Sequence, residues 1–455
     1  MKFLLQNTGE FLDEKIFIKS INSNRTYGEL KKSISGNLKS LKNQNINPGD
    51  VIAIVGDYCF ESISLFFALH LNKCIVVPIT NLVEKEIEYR IQAAQIKYAF
   101  FLQSDSTFLK KEYSYSSNNE LVQNFINTKN SGLILFSSGS SGMPKAMLHN
   151  LDHLIDSYND KKSKNLVFLI FLLFDHIGGL NTMLNAIAMG CSIVIPERRD
   201  PEYICKLIEK LQINILPSSP TFLNLILISG AHKKYNLDSL KLITYGTESM
   251  PEELLNRLKL EIPFVKLIQT FGTSETGIAN VISKSSSSNF IKFDDPNCEY
   301  KIIEGELWLR SKTQIMGYLN SSNDRFTDDG WFKTGDLVEE SEGGYMRIYG
   351  RSTDIINVGG LKVLPNEIET VLLGIDGVKD ALVYSKNNPI TGQIVAAQLV
   401  IDESKIKKEN IKSTIRGYCI KKLDSYKVPV YIEIVSFVNY SDRFKKNRFI
   451  KSQKS

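Results

Sequence analysis

Phe136-Ser137-Ser138-Gly139-Ser140-Ser141-Gly142-Met143-Pro144-Lys145 follows directly on the apolar run Leu133-Ile134-Leu135. A strand-like run that empties into glycines and hydroxyls, and closes on a lysine fixed behind a proline, has the makings of an anion cradle. Gly139 and Gly142 let backbone amides approach an anion without a Cβ in the way; Ser137, Ser138, Ser140 and Ser141 offer hydroxyl donors and Lys145 a charge. The stretch is not a Walker A loop, which needs four residues between its glycines and a hydroxyl after the lysine; here two residues separate the glycines and Ala146 follows Lys145. A magnesium ion bound with the phosphates must therefore find its ligand elsewhere in the chain. Taken alone, a surface loop of turn formers accounts for the same residues.

Further short motifs follow in order: Tyr245-Gly246-Thr247-Glu248, Phe271-Gly272-Thr273-Ser274-Glu275, Thr334-Gly335-Asp336, Gly350-Arg351-Ser352-Thr353-Asp354, and Gly359-Gly360-Leu361-Lys362-Val363-Leu364-Pro365. Together with the serine–glycine loop they resemble the motifs of the AMP-forming adenylating enzymes, the superfamily of acyl-CoA synthetases, adenylation domains and beetle luciferases. The resemblance runs over nearly the whole chain. It implies an α/β fold: a large N-terminal domain of two layered α/β halves with a small β-barrel part, residues 1–350, followed by a small mobile α+β lid, residues 351–455.

The length of 455 residues exceeds what one core sustains, so at least two domains are expected. The apolar stretch 166–174 is too short to span a bilayer and the N-terminus lacks a signal-peptide pattern, which together predict a cytoplasmic protein with no membrane span. Cys59, Cys74, Cys191, Cys205, Cys298 and Cys419 show no paired spacing and read as reduced, buried thiols rather than disulfides, a zinc site or a nucleophile. A net charge of +5 is too modest to predict nucleic-acid binding. The basic end, Arg443 to Arg448 with Lys451, suits an anionic nucleotide or coenzyme A.

Short β-branched runs alternate with amphipathic stretches through the first two-thirds. Residues 51–55, 74–78 and 98–102 read as strands, 61–71 and 84–95 as helices, and the same rhythm returns at 191–195, 213–216 and 240–244. This predicts layered sheets with mainly parallel strands. Residues 300–350 are strand-rich and match the family's small β part; the serine run 283–289 reads as a loop. Beyond the boundary at 351–354, strands are expected at 354–358, 378–384, 395–401 and 430–435, with helices at 365–373, where proline stands near the start, and 410–423.

The resemblance assigns roles residue by residue. Glu275 corresponds to the glutamate that binds the magnesium of MgATP, a hard oxygen ligand for a hard cation. Thr273 matches a contact of the α-phosphate, and Phe271 stands where a tyrosine usually stacks on adenine, beside Gly272. Tyr245, Gly246 and Thr247 would line the adenine and acyl pockets, Asp336 would accept the ribose hydroxyls, and Arg351 would reach ribose and phosphate. His176, in Asp175-His176-Ile177-Gly178-Gly179, corresponds to a residue gating the acyl pocket. Asp175 raises the alternative of an ammonium ligand for an amino-acid substrate, although aligning His176 with the gate puts Ile177 at that position.

The end of the lid departs most from the pattern Leu-Pro-x-Thr-x-x-Gly-Lys-x-x-Arg. Asn439 replaces its proline and Phe444 its glycine, while Lys445 falls on the lysine that bridges carboxylate and α-phosphate and Arg448 on the trailing arginine. Lys446 is the alternative lysine, one place along. At the hinge, position 353 is commonly Asp or Lys and is Thr353 here. Gly359 and Gly360 match the lid face that lines the pantetheine tunnel after rotation.

The implied reaction joins a small carboxylic acid to AMP from ATP, with magnesium, and passes the acyl group to coenzyme A. Loading of a phosphopantetheine carrier protein is the alternative, and a degenerate homologue without catalysis is a third reading, supported only by the altered lid motif.

Overall fold

A computed structural model describes residues 10–115, 118–137, 143–406, 411–441 and 443–448. Two seven-stranded sheets make up the layered part. In one, the strands run in the spatial order Lys266–Gln269, Leu242–Tyr245, Ile215–Ser218, Val167–Leu169, Ser192–Val194, Ile16–Ile18 and Arg25–Thr26, all parallel except the last pair. In the other, Gly132–Ser137, Ile75–Ile79, Val51–Val55 and Tyr98–Leu102 form a parallel centre with antiparallel strands at both edges. Val51–Val55 and Ile75–Ile79 are buried at every position, as parallel strands covered by helices on both faces must be.

Local chemistry sets the helix ends. Thr26 caps the helix Tyr27–Asn43 through a reciprocal capping box with Glu29, and Tyr27, Leu30, Ile34 and Leu41 bury one face at helical spacing. Asp200 and Ser219 cap helices that begin with Pro201 and Pro220, where a missing backbone donor costs nothing.

The small β part is a six-stranded antiparallel sheet that begins at Val281–Ser283 and includes Phe332–Ser341 and Tyr345–Arg351. A 3-10 turn at Ser352–Asp354 leads from it into the C-terminal unit. That unit has its own apolar cluster, including Val363, Ile368, Leu372, Val383, Leu399 and Ile415. Its sheet carries the hairpin Val378–Asn388/Gly392–Ile401 and, parallel to it, Tyr431–Ile434; the helices are Pro365–Leu373 and Ile411–Ile420.

Several boundaries differ from expectation. The hairpin continues to Asn388, four residues past the apolar run, because cross-strand backbone bonds hold it where the side chains are exposed. The strand expected at 354–358 starts at Ile356, since the 3-10 turn takes Asp354 and Ile355 links the two. The apolar stretch at 166–174 supplies a central strand, Val167–Leu169. Among the described residues no helix is long and apolar enough to cross a membrane.

Candidate active site

A cleft of about 1580 Å³ opens where the two sheets, the small β part and the C-terminal unit meet. Ser137, Lys145, His176, Gly246, Thr247, Phe271, Gly272, Thr273, Glu275, Asp336, Arg351 and Lys445 all line it. Ser138, Gly139, Ser140, Ser141 and Gly142 lie outside the described residues. Tyr245 does not line the cleft: its ring is buried in the core of the first sheet, and its carbonyl accepts from the amide of Thr270 at 2.8 Å. Gly359 and Gly360 form the turn between Ile356–Val358 and Leu361–Val363, away from the cleft.

Ser137 and Lys145 face each other across an antiparallel pair, so the loop's two ends are fixed by strand register. Pro144 is held from outside: its carbonyl accepts from Tyr89 Oη at 3.2 Å and Asn320 Nδ2 at 3.0 Å, while the amide of Ala146 donates to Asn320 Oδ1 at 2.8 Å. The Lys145 ammonium lies 5.3 Å from the centroid of the Tyr318 ring, and Tyr318 Oη donates to Glu275 Oε1 at 2.9 Å. Tyr318 thus ties the loop lysine to the candidate metal ligand. No motif in the chain signalled Tyr318, Asn320 or Tyr89, because strand pairing and loop packing bring them here.

Glu275 is the carboxylate a metal could use. Among the described residues no group of three or more His, Cys, Asp or Glu side chains could hold an ion by itself. A magnesium ion here would take the rest of its ligands from phosphate oxygens and water, its usual habit. Thr273 turns its hydroxyl to Thr276 Oγ1 at 2.9 Å, which braces the turn after the strand Phe271–Thr273. Phe271 is nearly buried, packed edge-to-face on Phe293 at 5.6 Å.

Asp336 and Arg351 are directly opposite each other on paired strands, and Arg351 Nε donates to Asp336 Oδ1 at 2.8 Å. The second oxygen, Oδ2, is buried without a hydrogen-bond partner. Burial raises the Asp336 carboxyl above its ordinary range, against the pull of Arg351. A buried carboxylate oxygen with nothing to accept from is an open acceptor site for a ligand hydroxyl. Thr247 is a second case: its backbone is left-handed, at φ 71°, and its buried hydroxyl has no partner.

His176 caps the helix Ile177–Ala188, its Nδ1 accepting from the amide of Gly178 at 3.0 Å. That bond places the proton of the neutral ring on Nε2. Burial first, then the charges of Lys445 and Arg443, hold the imidazole well below its usual range. Beside it, Asp175 Oδ2 accepts from Arg90 at 3.2 Å and from Arg443 at 3.3 Å. Two guanidiniums balance its charge through Oδ2, while Oδ1 is buried without a hydrogen-bond partner and stays an open acceptor.

The loop 438–448 separates the two candidate lysines. Lys446 turns into the C-terminal unit, where its Nζ reaches the carbonyl of Ala381 at 2.5 Å, Asp380 at 3.3 Å and Glu369 at 3.4 Å. Arg448 is anchored on the same Glu369, on the carbonyl of Val383 and on Asn366. Lys445 turns the other way, into the cleft, with no ion pair among the described residues. Burial and the repulsion of Arg351 bring its ammonium down to about 8. Phe444, at the glycine position of the motif, has φ 50°, so the loop keeps a glycine-like backbone without a glycine.

Comparison with known proteins gives the family. The family model described as AMP-binding enzyme matches residues 6–319, and that of the AMP-binding enzyme C-terminal domain matches residues 367–445. A 4-coumarate–CoA ligase-like protein of Arabidopsis thaliana is 26% identical over 92% of this chain and 82% of its own length. A 2-succinylbenzoate–CoA ligase of Listeria monocytogenes is 26% identical over 90% of this chain and 89% of its own. Among solved structures, the anthranilate CoA ligase AuaEII in complex with anthranoyl-AMP superposes with a TM-score of 0.82 at 20% identity, covering 98% of this chain and 95% of that one. ATP-bound MatB from Rhodopseudomonas palustris gives 0.81 at 18% identity, covering 97% and 96%.

Proposed function

The chain belongs to the AMP-binding enzyme family, and from that premise we propose the reaction of an AMP-forming carboxylate–CoA ligase. A carboxylic acid attacks the α-phosphate of ATP, pyrophosphate leaves, and the thiol of coenzyme A then displaces AMP from the acyl-adenylate. The observation that carries this reading is the meeting of Lys445, from the C-terminal unit, with Lys145, Glu275 and Asp336 in one cleft. A carboxylate is a poor electrophile, and bringing it to a phosphate sets two anions side by side. Positive charge fixed where they meet lowers that barrier without reorganisation.

The chain's own groups divide the work. Asp336 accepts a ribose hydroxyl on its free Oδ2 while Arg351 holds Oδ1 and keeps the carboxylate turned. Phe271 offers a flat apolar face to the base. Lys145, held over Tyr318, faces the phosphates, and Lys445 balances the carboxylate and the α-phosphate. Glu275 would hold magnesium, which when bound supplies charge neutralisation on the phosphates. Neutral His176 and the unpartnered Thr247 hydroxyl border the acyl side. Gly359 and Gly360 serve the second half-reaction, after the C-terminal unit turns about residues 351–354 and presents its other face. The six free cysteines fit a reducing, cytoplasmic setting.

The test is pyrophosphate exchange with a panel of aliphatic, aryl and amino acids, repeated with coenzyme A and mass measurement of the product. Acid-dependent exchange with acyl-CoA formation is expected. Exchange without acyl-CoA would move the acceptor to a carrier-protein thiol, and no exchange with any acid would overturn the reading.

A further inference from the structure

Phe444 has the backbone of a glycine and the side chain of a core residue. At φ 50° it occupies the left-handed region, which an aromatic side chain rarely adopts. Its ring is not left in solvent on the C-terminal unit that carries it. It enters the large domain, with centroids 4.9 Å from Phe222 and 5.2 Å from Phe171, which themselves pack at 4.2 Å. Tyr440 stacks on the same ring at 5.8 Å, and the Phe444 carbonyl accepts from Ser219 Oγ at 2.8 Å. Little room is left there. The cavity left between the Phe444 ring, Phe171 and Leu172 measures about 10 Å³, roughly the least that admits one water, and Phe444 also forms part of the wall of the 1580 Å³ cleft with His176, Thr247 and Lys445.

The consequence follows from adjacency in the chain. Lys445, which meets the acid's carboxylate, and Phe444, which fills the apolar space next to it, are consecutive residues and move together. We propose that Phe444 is a specificity-determining residue: whenever Lys445 is seated for adenylation, the Phe444 ring closes the apolar end of the acyl pocket and limits the size of the acid activated. The proposal rests on the ligase reading above. Size selection then belongs to one orientation of the C-terminal unit, since the ring leaves Phe171 and Phe222 when that unit turns.

Phe444→Gly is the informative variant, because glycine keeps the positive φ and removes the ring. Pyrophosphate exchange is measured on straight-chain acids from acetate to octanoate and on benzoic acids of increasing size. Expected is a rise of about tenfold or more in the kcat/KM ratio of the largest to the smallest acid, with KM for ATP unchanged. Phe222→Ala opens the same space from the large domain and shifts the ratio in the same direction; Phe444→Leu falls between and serves if Phe444→Gly fails to fold. An equal loss for all acids, or an unchanged ratio, means that the ring only docks the C-terminal unit and overturns the proposal while leaving the ligase reading intact. No exchange by the unaltered protein with any acid overturns both.

Discussion

Lys445 and Lys446 are neighbours with the same side chain and opposite surroundings, and the difference is measurable. Lys445→Ala removes the charge proposed to serve the adenylation step, so pyrophosphate exchange should fall by about a hundredfold, or about 3 kcal/mol. Thioester formation from supplied acyl-adenylate should remain. Lys446→Ala leaves Asp380 and Glu369 short of a buried cation, and unfolding in urea should show a loss of about 3 kcal/mol. The Lys445 ammonium, brought down to about 8 by burial, also sets a pH limit. Its charged form dominates below that value, so kcat/KM for adenylation should be flat below about pH 8 and fall by about tenfold per unit above it. Lys445→Arg should move that fall upward, because a guanidinium stays charged. The motif at 438–448 was enough to point at this pair of lysines. It could not choose between them, because the choice depends on Glu369 and Asp380, more than sixty residues away in sequence.

The helix Ile177–Ala188 shows what holds the proposed acyl side of the cleft in place. A Cβ on Gly179 would lie 2.2 Å from the carbonyl oxygen of Leu173 and 2.8 Å from that of Leu172, both backbone atoms that cannot turn aside. Gly179→Ala should therefore lower stability by about 2–3 kcal/mol, read as a fall in Tm. It should also raise KM for the acid, because His176 caps this helix and moves with its first turn. Elements of this kind were legible from alternating pattern and capping residues: Val51–Val55, Tyr98–Leu102 and Pro365–Leu373 form as the residues predict. The short strands Ile16–Ile18, Arg25–Thr26 and Gly317–Tyr318 were not, since two or three residues carry no period and form only because a partner strand offers its edge. Gly317–Tyr318 is the costly omission, for it delivers Tyr318 to Glu275 and Lys145.

Across the whole molecule, the C-terminal unit sits with Lys445 in the cleft and the Gly359–Gly360 turn outside it. Arg443 helps to hold that arrangement by reaching Asp175, which Arg90 also pairs, and Phe444 anchors the same loop through Phe171 and Phe222. The proposed second half-reaction calls for release of these contacts and rotation about Ser352–Asp354. Thr353→Pro fixes a backbone angle there that is compatible with the 3-10 turn but resists large change. Pyrophosphate exchange should persist within about threefold, while acyl-CoA formation should drop by at least about tenfold; equal rates in both assays would remove the hinge from this turn. What the sequence by itself determined is the chemistry available: a serine- and glycine-rich loop ending in Lys145, carboxylates at Glu275 and Asp336, cations near the end of the C-terminal unit, and the alternation that makes layered sheets. These depend on residue type and short spacing, which the chain carries openly. Only the tertiary structure decided which groups are already satisfied and which remain open. Lys446 and Arg448 are consumed by Glu369, Asp175 Oδ2 by two arginines, and Thr273 by Thr276, while Asp336 Oδ2, Asp175 Oδ1 and the Thr247 hydroxyl have no hydrogen-bond partner and Lys445 lines the cleft with no ion pair among the described residues. Desolvation and pairing are set by neighbours that are distant in sequence, so no local pattern could have told a structural charge from a free one.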